Sequence, residues 1–290
     1  MHAEFANRGL LRIAGAIEDD DVGRARGRLW REITERFGIR RESPESWFAN
    51  DNKPAGDRRG SRLSAMTPVM RSLRASGVLA PLETALGESV HDALGHARWV
   101  AKPDWYSLLS FPGAPSTWNV PHKSWHADEP VAAGHSLPWT VFAFVFLAPV
   151  SPRGGGATVV VSGSHRCAER LAHTHGRKDT TLVAAFADDN RELVTADELR
   201  VLAPTETVGL LAQADPWFET LVSPGSPAER IDTLMNRGTD VDGIPVQVVE
   251  LTGNPGDVIL LDPRCLHSVS VNTSGLPREV LRLDFRRLPA

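Results

Sequence analysis

The sequence has only two cysteines, Cys167 and Cys265, far apart and without a C-x-x-C neighbour. That argues against a disulfide framework or a thiolate zinc site and fits a reducing cytoplasm. Long apolar runs are missing too. The opening stretch, MHAEFANRGLLRIAGAIEDDD, is broken by charges before it reaches signal-peptide length, and no later segment approaches a membrane span. A cytoplasmic chain without a membrane partner is expected. Charge of one sign is scarce: a formal net charge of -4 over 290 residues gives no electrostatic reason to expect nucleic acid. The triple glycine at 154–156 lacks a following G-K-[ST], so it predicts a turn into a strand rather than a phosphate loop. Internal repeats and low-complexity tracts are absent. What remains is ordinary globular composition, 41% hydrophobic and 23% charged, and the expected partner is a small molecule.

Along the chain, Asp19, Asp20 and Asp21 can cap a helix whose apolar face is Val22, Ala25, Leu29, Ile33 and Phe37, stopped by Gly38. Residues 40–66 are rich in charge, Pro and Gly and predict a long loop carrying Trp47 and Phe48. A second helix is predicted over 77–94. From residue 97 the runs become short, β-branched or aromatic, and predict strands at 97–102, 105–111, 140–148, 158–162, 246–252, 257–261 and 279–286. The run TVFAFVFLA at 140–148 is apolar on both parities, which predicts a central strand between two packed layers. Between 166 and 245 helix signals return, with capping-box starts at Thr195-x-x-Glu198 and Ser226-Pro227-x-Glu229. The expected fold is mainly β with flanking helices: a jelly-roll, cupin-like core built from 97–165 and 246–287. A helical and loop region at 1–96 precedes it, and 166–245 forms a helical insertion. One domain over 1–290 is expected, with the insertion and the 40–66 loop as a lid.

His126-Ala127-Asp128 places an imidazole and a carboxylate two positions apart, which on extended backbone projects both to one face. His267, directly after GDVILLDPRCL, offers a third ligand. Two histidines and one carboxylate form a facial triad suited to non-haem Fe(II), although Zn(II) and Mn(II) accept the same ligand types. Arg278 follows His267 by eleven positions at the start of the last predicted strand, and its planar fork suits a buried carboxylate.

WHADEP, GGGATVVVSGSHR at 154–166, GDVILLDPRCLH at 256–267 and NTSGLPR at 272–278, in that order, resemble the phytanoyl-CoA dioxygenase family of Fe(II)/2-oxoglutarate oxygenases. The resemblance covers about residues 97–166 and 246–287. It implies a double-stranded β-helix, iron on His126, Asp128 and His267, and Arg278 on the distal carboxylate of 2-oxoglutarate, with O2 as oxidant and succinate and carbon dioxide as products. Val269 stands where family members can carry a serine that assists the cosubstrate, and Thr158 is the substitute considered for that contact. Related halogenases have a small residue at the carboxylate position, so Asp128 argues against halogenation.

Each of these residues also has an ordinary reading. Arg278 could be a surface cation, because Arg282, Asp284 and Arg286 share its parity and could form a solvated stripe; Arg282 is the reserve clamp. His165 reads as a turn-fixing residue, His173 and His175 as exposed loop residues, and Cys265 as a small buried side chain. His122, Lys123 and Trp139 are candidates for substrate contact, with Trp118 and Trp125 as either pocket walls or core. The expected activity is hydroxylation of an unactivated carbon of a small organic molecule. The rivals are a jelly-roll metal hydrolase or isomerase that does not use 2-oxoglutarate, and a non-catalytic binding module.

Overall fold

The computed structural model describes residues 2–48, 66–95, 98–113, 117–178 and 200–288. Two antiparallel sheets dominate. The larger has strand order β1-β10-β4-β12-β2, with β1 at Leu10–Ile13, β2 at Trp99–Ser107, β4 at Thr140–Phe146, β10 at Val258–Leu261 and β12 at Val280–Arg287. The smaller runs β11-β5-β9-β8, with β5 at Thr158–Ser162, β8 at Thr239–Val241, β9 at Ile244–Glu250 and β11 at His267–Val269. Three short strands, β3 (Val131–Ala132), β6 (Arg177–Lys178) and β7 (Arg200–Leu202), form a third sheet.

The all-apolar run at 140–146 is central, and its two parities serve two different cores. Val141, Ala143 and Val145 point to a helical layer of α2 (Asp19–Phe37), α4 (Thr67–Ala75) and α5 (Ala80–Leu94). Phe142, Phe144 and Phe146 point the other way, into a core shared with Val160 of β5, Ile259 and Leu261 of β10, and Leu251 just after β9. That core lies between the sheets. Beyond the smaller sheet, Val159, Val161, Val246 and Val248 pack on Leu211, Trp217, Phe218 and Leu234 from the 166–245 region. The order is thus helices, large sheet, small sheet, helices, and each buried strand face is covered.

Helix α2 starts on the three aspartates and ends on Gly38, whose left-handed φ of 67° lets its N–H reach Thr34 O. Several expectations need correction. The strands predicted at 97–102 and 105–111 are one strand, β2, because a register shift opposite Leu283 and Phe285 accommodates Pro103, which has no N–H to give the ladder. The helix predicted over 77–94 starts at Ala80, and α4 precedes it, with Val69, Met70 and Leu73 on its buried face. Residues 44–48, inside the predicted loop, form α3 (Pro44–Phe48). Trp47 there stacks on Phe111, 5.6 Å between centroids, in the helical layer rather than between the sheets. The rest of the predicted 40–66 loop, residues 49–65, lies outside the described residues. So does the Thr195–Glu198 box, while Ser226 does cap its helix by accepting from Glu229 N. Helix α6 spans Ser164–His175, so His173 and His175 are its exposed last turn and not a loop. No helix among the described residues is long and apolar enough to cross a membrane.

Candidate metal centre

His126, Asp128 and His267 come together, with one ligand atom from each lying within 4.8 Å of the others. The segment carrying the first two is not a regular strand. His126 makes an isolated antiparallel bridge with His267, through His126 N to His267 O at 3.1 Å and the reverse bond at 2.9 Å. The chain then bends, and Asp128 N donates to Pro263 O at 2.9 Å. The arm is therefore stitched to the 263–267 turn, and that stitch brings the third ligand alongside.

Both imidazoles are oriented by backbone. Nδ1 of His126 lies 2.8 Å from Ser124 O, and Nδ1 of His267 lies 2.9 Å from Cys265 O. A carbonyl can only accept, so each Nδ1 carries the hydrogen and the neutral ring leaves Nε2 with a lone pair. Those Nε2 atoms face Asp128, at 3.5 Å from Oδ1 for His126 and 3.4 Å from Oδ2 for His267. Burial alone would push the Asp128 carboxyl up, but when the rings are protonated His267, by hydrogen bond and charge, then His126, together with Arg282, hold it below the ordinary carboxylate value. Two neutral nitrogens and one carboxylate oxygen match the donor set of a mononuclear divalent metal site.

A cleft of about 620 Å³ opens over the three ligands, walled by Leu108, Trp125, Phe144, Thr158, Val269 and Arg282. Arg278 is 2% exposed and is not a surface cation. It bridges Ser110 just ahead of β12, donating from Nη1 to Gly156 O and from Nη2 to Thr158 Oγ1, both at 3.0 Å. The two residues singled out for the cosubstrate thus touch each other at the cleft wall. Gly156 lets Asn272 pack against this wall: a Cβ there would stand 2.8 Å from Asn272 Cβ, and its φ is 70°. Among the substrate candidates, His122, Lys123 and Trp139 do not line the cleft. Trp139 is buried beside His135, and Lys123 offers its carbonyl to Ser268 Oγ. Trp125 lines the cleft, and Trp118 lies in the outer core.

Sequence reasoning missed the buried groups behind the ligands. Arg264, between β10 and β11, grips Asp262 through Nε and Nη2 and donates to His135 O and Ser136 O, which fixes the turn carrying Pro263 O and Cys265 O. Glu129 accepts from the N–H groups of Trp139 and Thr140, and burial, with Asp262 nearby, pushes its carboxyl up to about 8. His165, expected to fix a turn, instead lies in α6 and ties it to two distant segments: Nε2 lies 3.1 Å from Ala6 O and Nδ1 3.4 Å from Cys265 Sγ, and burial lowers its pKa to about 4. D-P-R after an apolar strand was the one available signal, since a charged pair two residues apart beside a ligand has few places to go but inward.

No protein-family model matches the sequence, and no curated protein matches it. Solved structures similar to the chain include the non-heme alpha ketoglutarate dependent epimerase SnoN from nogalamycin biosynthesis, 14% identical, with 98% of this chain and 79% of that one covered at a TM-score of 0.48. AviO1 from Streptomyces viridochromogenes Tue57 is 16% identical, with 99% and 95% covered at a TM-score of 0.47. EctD from S. alaskensis, solved with 2-oxoglutarate and 5-hydroxyectoine, is 17% identical, with 98% and 74% covered at a TM-score of 0.44.

Proposed function

We propose that the chain is a non-haem Fe(II) oxygenase that consumes 2-oxoglutarate and O2 and hydroxylates an unactivated carbon of a small organic molecule. The observation that carries the reading is the convergence of His126, Asp128 and His267, with both imidazoles locked as Nδ1–H tautomers that present Nε2. We read the two facing sheets as a double-stranded β-helix in one domain. Fe(II) with 2-oxoglutarate would supply oxidising power from O2, with succinate and carbon dioxide released. The protein's part is placement. His126, Asp128 and His267 would hold the ion, and the cleft beside them would take the keto acid and the substrate. Arg278, beside Thr158, offers a buried guanidinium to the distal carboxylate of the keto acid. Leu108, Trp125, Phe144 and Val269 wall the cleft with apolar surface that orients a substrate and excludes water.

The test is an anaerobic titration of the metal-free protein with Fe(II) and then 2-oxoglutarate, followed by visible absorption. A weak charge-transfer band of a chelated keto acid is expected, and it should be lost in Asp128→Ala together with succinate formation. Bound iron without that band would point to a hydrolase or isomerase using the same three ligands.

A further inference from the structure

Arg282 stands two residues along β12 from Val280, on the inward parity, and is not part of a solvated stripe. Its side chain is 17% exposed, and that of its neighbour Asp284 is buried. Four contacts fix the guanidinium. Nε lies 2.9 Å from Asp284 Oδ1 as an ion-pair contact without hydrogen-bond geometry, and Nη2 donates to Asp284 Oδ2 at 3.3 Å. The carbon of the fork sits 3.9 Å from the Phe142 ring centroid and 4.4 Å from that of Tyr106. Phe142 also meets His267 edge-on, at 6.4 Å between centroids. Held by a carboxylate and two aromatic rings, the fork has one nitrogen left at the metal side: Nη1, 3.8 Å from Asp128 Oδ2.

We propose that Arg282 is a positioning residue for the metal centre, held by Asp284, Phe142 and Tyr106 so that the charge at its Nη1, 3.8 Å from Asp128 Oδ2 and beyond hydrogen-bond reach, biases the rotation of the Asp128 carboxylate. The physical basis is direct. A carboxylate on a single Cβ rotates easily about χ2, and a ligand free to rotate loses conformational entropy when it binds a metal. The backbone bonds of His126 and His267 solve that problem for the imidazoles, whereas Asp128 has its backbone N–H fixed by Pro263 but needs a cation to fix its head. Arginine suits the task better than lysine, because a planar fork can face two carboxylates in set directions and stack on rings at the same time. Two arginines four residues apart, one just ahead of β12 and one on it, then have separate duties: Arg278 reaches Gly156 and Thr158, and Arg282 faces the Asp128 carboxylate.

The inference rests on the metal centre proposed above, and the experiment separates the two. Co(II) is titrated into wild type, Arg282→Lys, Asp284→Asn and the double variant Arg282→Gln/Asp284→Asn, reading affinity and the visible ligand-field spectrum. The double variant removes both charges, so no unpaired buried ion is left to unfold the protein. About tenfold weaker Co(II) binding with an altered spectrum is expected in the double variant, and a smaller loss in Asp284→Asn and Arg282→Lys. Wild type that binds no Co(II) would overturn the metal centre and this inference with it. Wild type that binds, beside a double variant with unchanged affinity and spectrum, would overturn this inference alone. A collapse of 2-oxoglutarate affinity with Co(II) binding intact would also overturn it and assign Arg282 to the cosubstrate.

Discussion

Thr158 Oγ1 receives a hydrogen bond from Arg278 deep in the cleft wall, so the hydroxyl and the guanidinium act as a unit. Replacing Thr158 with valine keeps the shape and removes the acceptor. The expected cost is about 1–3 kcal/mol of stability from the buried donor left behind, with weaker 2-oxoglutarate binding, read by denaturant melts and by the cosubstrate titration of the charge-transfer band. Unchanged affinity would separate Thr158 from the cosubstrate. At this scale the convergence of the three candidate ligands was legible, because two short side chains at i and i+2 and a histidine after an apolar strand are few enough to stand out. Arg282 was misread for a physical reason. Strand parity placed it correctly with Asp284, but which parity meets water depends on a second sheet lying over that face, and a charged pair gives no sign of that cover. Arg264 with Asp262, and Glu129, were hidden in the same way.

Elements are joined by one buried acid. Glu279, just before β12, has no exposed surface and accepts from Arg26 Nε at 2.7 Å and Trp30 Nε1 at 2.8 Å of α2, and from Arg41 Nε at 2.7 Å. Burial alone would raise its carboxyl, but the bonds from Arg26, Trp30 and Arg41 outweigh that and lower it below the ordinary carboxylate value. The lower folded value means that its stabilising contribution is complete above about pH 4.5 and is lost as the pH falls through the folded value. Glu279→Gln should therefore lower stability by about 3 kcal/mol at neutral pH, the low end for breaking a buried pair, because both arginines keep part of their surface in water. The gap in melting temperature between wild type and variant should narrow as the pH is lowered; a gap independent of pH would remove the carboxylate charge from the account. Long strands and amphipathic α2 were legible from periodicity. β1 and β11, with four and three residues, were not, since so short a run carries too little alternation and owes its extension to its partner.

At the scale of the molecule, the N-terminal segment is bound to the ligand-bearing turn. Asp262 N donates to Gly9 O at 2.7 Å, Gly163 N to Arg8 O at 2.9 Å, and β1 pairs with β10. Gly9 has a φ of 73°, and a Cβ there would stand 2.2 Å from Cys265 Sγ. Gly9→Ala should consequently destabilise the protein and also weaken Co(II) binding through the displaced Cys265–His267 stretch; a loss of stability with metal affinity intact would show that the segment supports the fold alone.

The strand order of the large sheet has its own consequence for biosynthesis. β4 and β2 share no ladder; β12 lies between them and pairs with both. A ribosome adding 5–20 residues per second takes roughly 10–30 s to pass from Asp128 to the end of β12. Throughout that interval β2 and the phenylalanine-rich β4 lack the strand that joins them, and His126 and Asp128 wait for their third partner. A metal held by all three side chains, as proposed above, would be loaded only after His267 has been made.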